Sequence, residues 1–265
     1  MSAAGLRERL KDAAAKAARG LCAALYPEGV TCDLCGAELV ADTRYTLCAE
    51  CTGKLPLIEG HKCLGCGVPI NDEADYCLRC QYNESVFRKN ISPLTYDGEG
   101  KELVHALKFG GKKYIARLLG AMMSDAFIES GEEGEIVVPV PMSERERKKR
   151  GFNQSELLAE DVGGRLGMPV LPALGKVRDT RPQKDLTGKE RAENLKGCFE
   201  ARFADYIRRR KILLVDDVFT TGSTANECAR VLLKAGARSV TVLTAAVTVP
   251  KNRVERGEDA SEHRT

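Results

Sequence analysis

Residues 212–224 read Ile-Leu-Leu-Val-Asp-Asp-Val-Phe-Thr-Thr-Gly-Ser-Thr. The four apolar residues at the start predict a buried β-strand. Asp216 and Asp217 follow where that strand leaves its sheet, and two carboxylates at such a position need polar partners. The vicinal hydroxyls of a ribose meet this need, because each ionised oxygen accepts a charge-assisted hydrogen bond from a hydroxyl. Helix capping or a structural ion site is the alternative interpretation of the two acids.

The rest of the stretch is a turn of small, mostly hydroxyl-bearing residues that opens a helix. Backbone N–H groups and the helix N-terminus form an anion cradle there, which the hydroxyls complete, so a phosphate is expected. The members of the turn are Thr220, Thr221, Gly222, Ser223 and Thr224. An ordinary N-cap would explain the turn if it stood alone. Two adjacent acids followed by such a turn resemble the signature with which type I phosphoribosyltransferases bind 5-phosphoribosyl-1-pyrophosphate (PRPP).

Strand-like and helix-like segments alternate from about residue 90 onward. The predicted strands are 136–140, 212–218 and 240–247, and the predicted helices are 113–129, 154–167 and 223–235. This alternation predicts an α/β domain in which helices cover both faces of a parallel sheet. Ligands of such sheets bind beyond the carboxyl ends of the strands, where the two acids are expected.

Eight of the eleven cysteines form four Cys-x-x-Cys pairs ahead of this domain. A two-residue gap folded as a tight turn points both thiolates at one ion, and two such pairs complete a tetrahedral zinc site. Tandem spacing favours two zinc ions held by neighbouring pairs, although a cross-braced arrangement of the first pair with the third is open. The favoured sets are Cys32, Cys35, Cys48 and Cys51, and Cys63, Cys66, Cys77 and Cys80. Such a site can replace a hydrophobic core, with or without a binding role.

Composition and charge limit the possible classes of protein. Hydrophobic residues make up 43% and charged residues 30%, which is the balance of a globular protein. The net charge of +3 gives no global argument for nucleic acid or acidic membranes. No apolar run approaches the roughly 18 residues of a membrane span, and charged residues interrupt any signal-peptide core in the first 26 residues. We therefore expect no membrane insertion and a cytoplasmic protein.

The chain divides into four predicted segments. An amphipathic helix before Pro27 and a double zinc module precede the α/β domain, and a polar, disordered tail follows it. Their predicted limits are 1–27, 28–85, 90–249 and 250–265.

Further segments resemble the ComF family. Residues 137–154 begin as a strand with two prolines and continue into a basic stretch that ends in Arg-Gly-Phe-Asn-Gln. Residues 178–199 follow the pattern Arg-x-Thr-x-x-Gln-x-x-Leu-x-x-x-x-Arg-x-x-Asn-x-x-x-x-Phe. Tyr-Asp-Gly at 96–98 and Leu-Lys-Phe-Gly-Gly at 107–111 also belong to the pattern. With the paired cysteines, the resemblance covers roughly residues 21–249.

The resemblance implies a pentosyltransferase-type protein that binds PRPP with Mg²⁺ and transfers its phosphoribosyl group to an unidentified acceptor. It further implies single-stranded DNA and competence or DNA-uptake proteins as partners. Asp216 and Asp217 would act in catalysis, 138–143 would form the pyrophosphate loop, and 179–195 would form a mobile lid. The cationic candidates for the diphosphate are Lys108, Arg147, Arg150 and Arg191.

Other interpretations stay open at this point. The stretch 144–150 can be a solvated helix start, and 179–195 an exposed loop without function. A domain of this fold can also sense PRPP or bind nucleic acid without transferring anything, and the zinc knuckles and local basic stretches support the latter. A nucleobase salvage phosphoribosyltransferase with a zinc extension is a third interpretation.

Overall fold

In a computed structural model of the chain, the described residues are 30–39, 43–70, 74–178 and 194–250. The helix predicted within 1–27, residues 251–265 and most of the predicted lid, including Arg191, lie outside them. The chain divides into two compact units, Met1–Gly53 and Lys54–Thr265. The first unit holds one group of four cysteines, and the second holds the other group together with the α/β domain. The domain limits drawn from the sequence stay predictions.

The described part of the chain contains short helices and strands around a few long ones. Its helices are α1 (Ala49–Gly53), α2 (Leu78–Tyr82), α3 (Gly98–Phe109), α4 (Ile115–Glu129), α5 (Glu144–Arg150), α6 (Gln154–Leu166), α7 (Ala204–Ile207) and α8 (Ser223–Lys234). Its strands are β1 (Asn90–Ile91), β2 (Leu94–Thr95), β3 (Ile136–Pro139), β4 (Leu174–Lys176), β5 (Phe199–Ala201), β6 (Lys211–Phe219) and β7 (Ser239–Val247).

Five of these strands form one parallel sheet with the order β1-β7-β6-β3, and β2 also pairs with β7. The register places Val215 of β6 beside Pro139 of β3 and beside Leu243 of β7. The apolar part of β6, 212–215, is buried, so the buried strand predicted there is confirmed. Because all five strands run in the same direction, their carboxyl ends meet at one edge of the sheet.

Helices cover both faces of the sheet. Helix α8 packs on β6 and β7, and its Cys228 and Leu232 share a buried cluster with Ile212 and Leu214. Side chains alternate along a strand, so the intervening residues of β6 face the opposite layer. There α6 packs on β3 and β6, while α4 packs on α6 and β7. The predicted fold class, an α/β domain with a parallel sheet and helices on both faces, is confirmed.

The strands and helices predicted in this domain match the observed ones within two residues at each end. Several further elements had no prediction: α3, β1, β2 and the antiparallel pair β4 and β5. The stretch 144–150 forms the helix α5, which begins with a capping box between Ser143 and Glu146. None of the helices in the described part of the chain has the length and apolar character that a bilayer span requires.

Adjacent glycines of α6 provide a matched test of its packing on the sheet. A Cβ at the buried Gly163 would collide with the Val170 side chain and lie 2.9 Å from the Met168 carbonyl oxygen, whereas a Cβ at the exposed Gly164 meets nothing within 4 Å. We expect Gly163→Ala to lower the free energy of unfolding by about 1–3 kcal/mol through overpacking. Gly164→Ala should raise it by about 0.5–1 kcal/mol. Urea denaturation measures both, and equal effects would contradict this packing.

Candidate functional site

The carboxyl ends of β3 and β6 open into a polar cleft of about 270 Å³. The loop after β3, the start of α6 and the turn after β6 surround it. Ligands of parallel sheets bind at this edge, as expected from the sequence. The sequence-predicted residues that line the cleft are Lys108, Arg150, Asp216, Asp217, Thr220 and Thr224.

Asp216 is partly exposed at the wall of the cleft, and one of its oxygens accepts two hydrogen bonds. Its Oδ1 accepts from Ser155 Oγ at 2.8 Å and from the Asp217 backbone N–H at 2.9 Å. Burial and the neighbouring Asp217 carboxylate raise the pKa of Asp216 to about 7. Two adjacent carboxylates in a partly dry site repel each other, and protonation of one relieves the repulsion. Asp216 therefore changes charge near neutral pH.

Asp217 is the more buried acid, with only 4% of its surface exposed, and it forms an ion pair. Its Oδ2 lies 2.7 Å from Lys108 Nζ, which reaches it from the last turn of α3. Burial alone would lower the pKa of Lys108, but the Asp217 carboxylate raises it above its ordinary value. Lys108, predicted as a diphosphate ligand, thus neutralises Asp217 in this structure.

Thr220–Thr224, the turn between β6 and α8, is named the phosphate turn after the ligand that the sequence predicts there. Gly222 adopts φ 82°, the left-handed region that favours glycine, and a Cβ there would lie 2.6 Å from the Phe219 ring. Within the turn, the hydroxyls of Thr221 and Ser223 are 2.9 Å apart. The glycine therefore allows the sharp turn by which the chain passes from β6 into α8.

The structure describes two of the three arginines predicted to bind diphosphate, and it places them differently. Arg150 lines the cleft, donates to Gln154 Oε1 at 2.5 Å and places its guanidinium 5.2 Å from the centre of the Phe109 ring. Arg147 instead forms a two-point ion pair with Glu156, at 3.0 and 2.6 Å, and does not line the cleft. Arg191 lies outside the described residues.

Sequence reasoning missed three residues of the cleft. Lys176 of β4 pairs with Glu146 at 3.3 Å, and this ion pair lowers the pKa of Glu146 although burial opposes it. Ser155 holds Asp216 from the start of α6. Ser155 directly follows the Arg-Gly-Phe-Asn-Gln segment, so extending that motif by one residue would have found it, whereas no sequence signal marks Lys176 or Glu146.

Each group of four cysteines brings its sulfur atoms within 4.8 Å of one another. The groups join neighbouring pairs, as the tandem spacing favours, and exclude the cross-braced arrangement. Sγ atoms of Cys35 and Cys48 are 3.8 Å apart, and those of Cys66 and Cys77 are 3.6 Å apart. Tetrahedral zinc with Zn–S bonds of about 2.3 Å needs sulfur atoms roughly 3.8 Å apart. Both donor sets fit structural zinc.

Comparisons with known proteins agree with this architecture. Residues 21–81 match the double zinc ribbon domain family. The chain is 28% identical to Competence protein F of Haemophilus influenzae, a match that covers 74% of this chain and 94% of that protein. It is 32% identical to Competence protein ComFC of Bacillus subtilis, and that match covers 75% of this chain and 82% of that protein. It is also 32% identical to DNA utilization protein YhgH of Salmonella typhi, with 68% of this chain and 81% of that protein covered. The solved structure of an adenine phosphoribosyltransferase from Thermoanaerobacter pseudethanolicus is 15% identical in sequence, and the match covers 52% of this chain and 81% of that chain. Its TM-score of 0.33 is too low to support an assignment.

The fold and the site define the class of protein: an α/β domain with a polar cleft at the carboxyl edge of its parallel sheet, preceded in the sequence by paired zinc ribbons. Relatives at 32% identity that are covered over more than four fifths of their length then decide the family. The chain belongs to the ComF family, which includes the competence proteins and YhgH.

The raised pKa of Asp216 makes stability depend on pH. Its folded pKa of about 7 lies above the unfolded value of about 3.9, so stability is lost as pH rises between these values. Asp216→Asn keeps the Oδ1 acceptor and removes the charge. We expect it to raise the free energy of unfolding by about 1–2 kcal/mol at pH 8 and by much less at pH 4. Denaturation at the two pH values measures this, with the exposed Asp205→Asn as the control, and an equal gain at both would contradict the shift.

Proposed function

We propose that this ComF-family chain binds PRPP with Mg²⁺ in the cleft and transfers the phosphoribosyl group to an acceptor during the handling of DNA. The observation that carries the proposal is that two acids and a tight, hydroxyl-rich turn at the start of a helix lie together at one edge of the sheet. The proposed limits of the PRPP-binding domain are 90–249, and those of the zinc module are 28–85.

The sugar and its 5′-phosphate match the two halves of the site. Asp216 and Asp217 can accept hydrogen bonds from the two ribose hydroxyls when both are ionised. Lys108 forms an ion pair with Asp217, and Ser155 holds Asp216 in place. The phosphate turn supplies backbone N–H groups and the N-terminus of the twelve-residue α8 for the phosphate.

The diphosphate would lie toward the loop after β3. Arg150 and Lys176 line that side of the cleft and supply positive charge. The carboxylate oxygens of Asp216 and Asp217 are hard donors of the kind that Mg²⁺ prefers, and together with diphosphate oxygens they would hold the ion. The ion would neutralise part of the charge on the departing pyrophosphate.

In the transfer step, an acceptor nitrogen attacks C1′ of the sugar, while the bond from C1′ to the diphosphate oxygen breaks and its electron pair leaves with pyrophosphate. The transition state carries positive charge on the ring, which the acids stabilise, and negative charge on the leaving group, which Arg150 stabilises. Pyrophosphate release on adding an acceptor separates this reaction from PRPP sensing alone. Common nucleobases as acceptors test the salvage interpretation.

Calorimetric titration with PRPP and Mg²⁺ tests the site directly. The double variant Asp216→Asn, Asp217→Asn removes the charged acceptors of the diol, so we expect PRPP affinity to fall at least about tenfold, since charge-assisted hydrogen bonds contribute roughly 1.5–3 kcal/mol each. Wild-type affinity should also rise from pH 6 to pH 8, because Asp216 ionises near pH 7.

The matched control is Glu200→Gln with Asp205→Asn, which removes the same charge from exposed positions. It should bind PRPP like the wild type. Unchanged affinity in the variant of Asp216 and Asp217 would remove the assignment of the diol site.

A role in DNA handling is supported by the names of the relatives and by one basic surface. Competence protein ComFC and DNA utilization protein YhgH are named for processes that involve DNA. Next to the cleft, α5 exposes Lys148 and Lys149. Single-stranded DNA and DNA-uptake proteins are therefore the proposed partners, in the cytoplasm, where the cysteines stay reduced.

Reversing the charge of this helix should weaken DNA binding without affecting PRPP. For Lys148→Glu with Lys149→Glu, we expect lower affinity for single-stranded DNA. The slope of log K against log salt concentration should become shallower by about 0.7 for each phosphate that is no longer neutralised by a lysine. Fluorescence anisotropy at several salt concentrations measures this. Lys101→Glu with Lys234→Glu changes the same charge at other exposed positions, and an equal loss there would leave α5 without a specific role.

A further inference from the structure

Arg79 of the second zinc ribbon contacts the first residue of the phosphate turn and the residue before it. Arg79 lies between Cys77 and Cys80, two of the predicted zinc ligands, in α2. Its Nη1 donates a 2.5 Å hydrogen bond to the carbonyl oxygen of Thr220, and its guanidinium lies 5.7 Å from the centre of the Phe219 ring. An element that folds around a metal ion therefore touches the site proposed for the sugar phosphate.

The segment that follows the second zinc ribbon also contacts Phe219 and the start of α8. The rings of Phe87 and Phe219 meet edge to face at 5.9 Å, so Phe219 has an aromatic neighbour as well as a cationic one. The Val86 backbone N–H donates to Asn226 Oδ1 in the first turn of α8 at 2.8 Å. The knuckle itself is attached to the sheet, because Asn90 donates to the Cys66 carbonyl oxygen at 3.0 Å.

The position of Arg79 places its charge next to the metal site. Arg79 directly precedes Cys80 and stands two residues after Cys77 in the sequence. Its Nη2 is buried and has no hydrogen-bond partner among the described residues. Four thiolates around one Zn²⁺ leave an excess of negative charge, and such a centre would compensate a buried guanidinium.

We propose that Arg79 is a positioning residue that couples the second zinc site, Cys63, Cys66, Cys77 and Cys80, to the phosphate turn. Zinc holds Arg79 in place, and Arg79 holds the carbonyl of Thr220. Because a peptide unit is planar and trans, fixing that carbonyl also fixes the N–H of Thr221 on the opposite side. The zinc ribbon thereby determines how the turn presents its amides. The effect on PRPP affinity rests on the proposed function, whereas the effect on the turn itself does not.

Hydrogen exchange of the zinc-loaded full chain, followed by mass spectrometry, tests the coupling without any ligand. In Arg79→Ala, we expect amides of 219–224 to exchange at least tenfold faster, while those of 98–109 keep their rates. Arg79→Lys should be intermediate, because an ammonium can donate to Thr220 but lacks the planar group that covers Phe219. Arg202→Ala, an exposed arginine paired with Glu200, is the control and should leave 219–224 unchanged.

Zinc content, measured on the same samples, must stay at two ions per chain in Arg79→Ala. Removing zinc from the wild type with a chelator should speed exchange at 219–224, and the same treatment should add little in Arg79→Ala, because both changes act through one link. If the amides of 219–224 exchange in Arg79→Ala at the same rate as in the wild type, the proposal is overturned. Loss of zinc from both Arg79→Ala and Arg79→Lys would also overturn it, because Arg79 would then serve to build the ribbon.

PRPP calorimetry on the same variants separates this proposal from the proposed function. We expect Arg79→Ala to weaken PRPP binding about tenfold and Arg79→Lys to restore part of it. Faster exchange in Arg79→Ala with no PRPP binding by the wild type would support the coupling and overturn PRPP binding. The opposite result is that PRPP affinity depends on Asp216 and Asp217, while Arg79→Ala changes neither PRPP affinity nor the exchange rate at 219–224. That result would support the proposed PRPP site and overturn the coupling.

Discussion

Two adjacent carboxylates lie in the carboxyl-terminal half of one strand, β6, and their mutual repulsion is the constraint on which the site depends. Asp217 is buried and would be unstable as an isolated ion, so Lys108 from α3 neutralises it. Asp216 has hydroxyl and amide donors instead of a cation, and its pKa rises to about 7. Helices α3 and α6 therefore supply the partners that the two acids of β6 require, because Lys108 comes from α3 and Ser155 from α6. The strand, the helices and the chemistry of the cleft form one connected arrangement.

The zinc ribbons solve a different physical problem. A segment of a few dozen residues with two five-residue helices buries little apolar surface, so metal–thiolate bonds replace a hydrophobic core. In the second unit, the ribbon is also part of the sheet's surroundings, because Cys63, Cys66 and Phe87 belong to the same buried cluster as Leu214. The cysteines of the second ribbon and the strands of the sheet thus share one packed interior.

The long strands and helices of the sheet domain were predictable because each has a strong local signal. β-branched runs mark β3, β6 and β7, and apolar periodicity marks α4, α6 and α8. The two-residue strands β1 and β2 have too few residues for any periodicity, and β4 pairs with β5 across a stretch whose pattern is polar and irregular. Pairing between distant segments decides such elements, and local composition does not encode it.

The sequence by itself determined the chemistry that sits in consecutive residues: the spacing of the cysteine pairs, the acids after a buried strand and the hydroxyl-rich turn that opens α8. Only the tertiary structure decided which distant side chains complete the site. It turned Lys108 toward Asp217, paired Arg147 with Glu156 away from the cleft, brought Lys176 to the cleft, and placed Arg79 against the carbonyl of Thr220. The physical reason is that an ion pair or hydrogen bond between segments far apart in the chain depends on how the helices and ribbons pack.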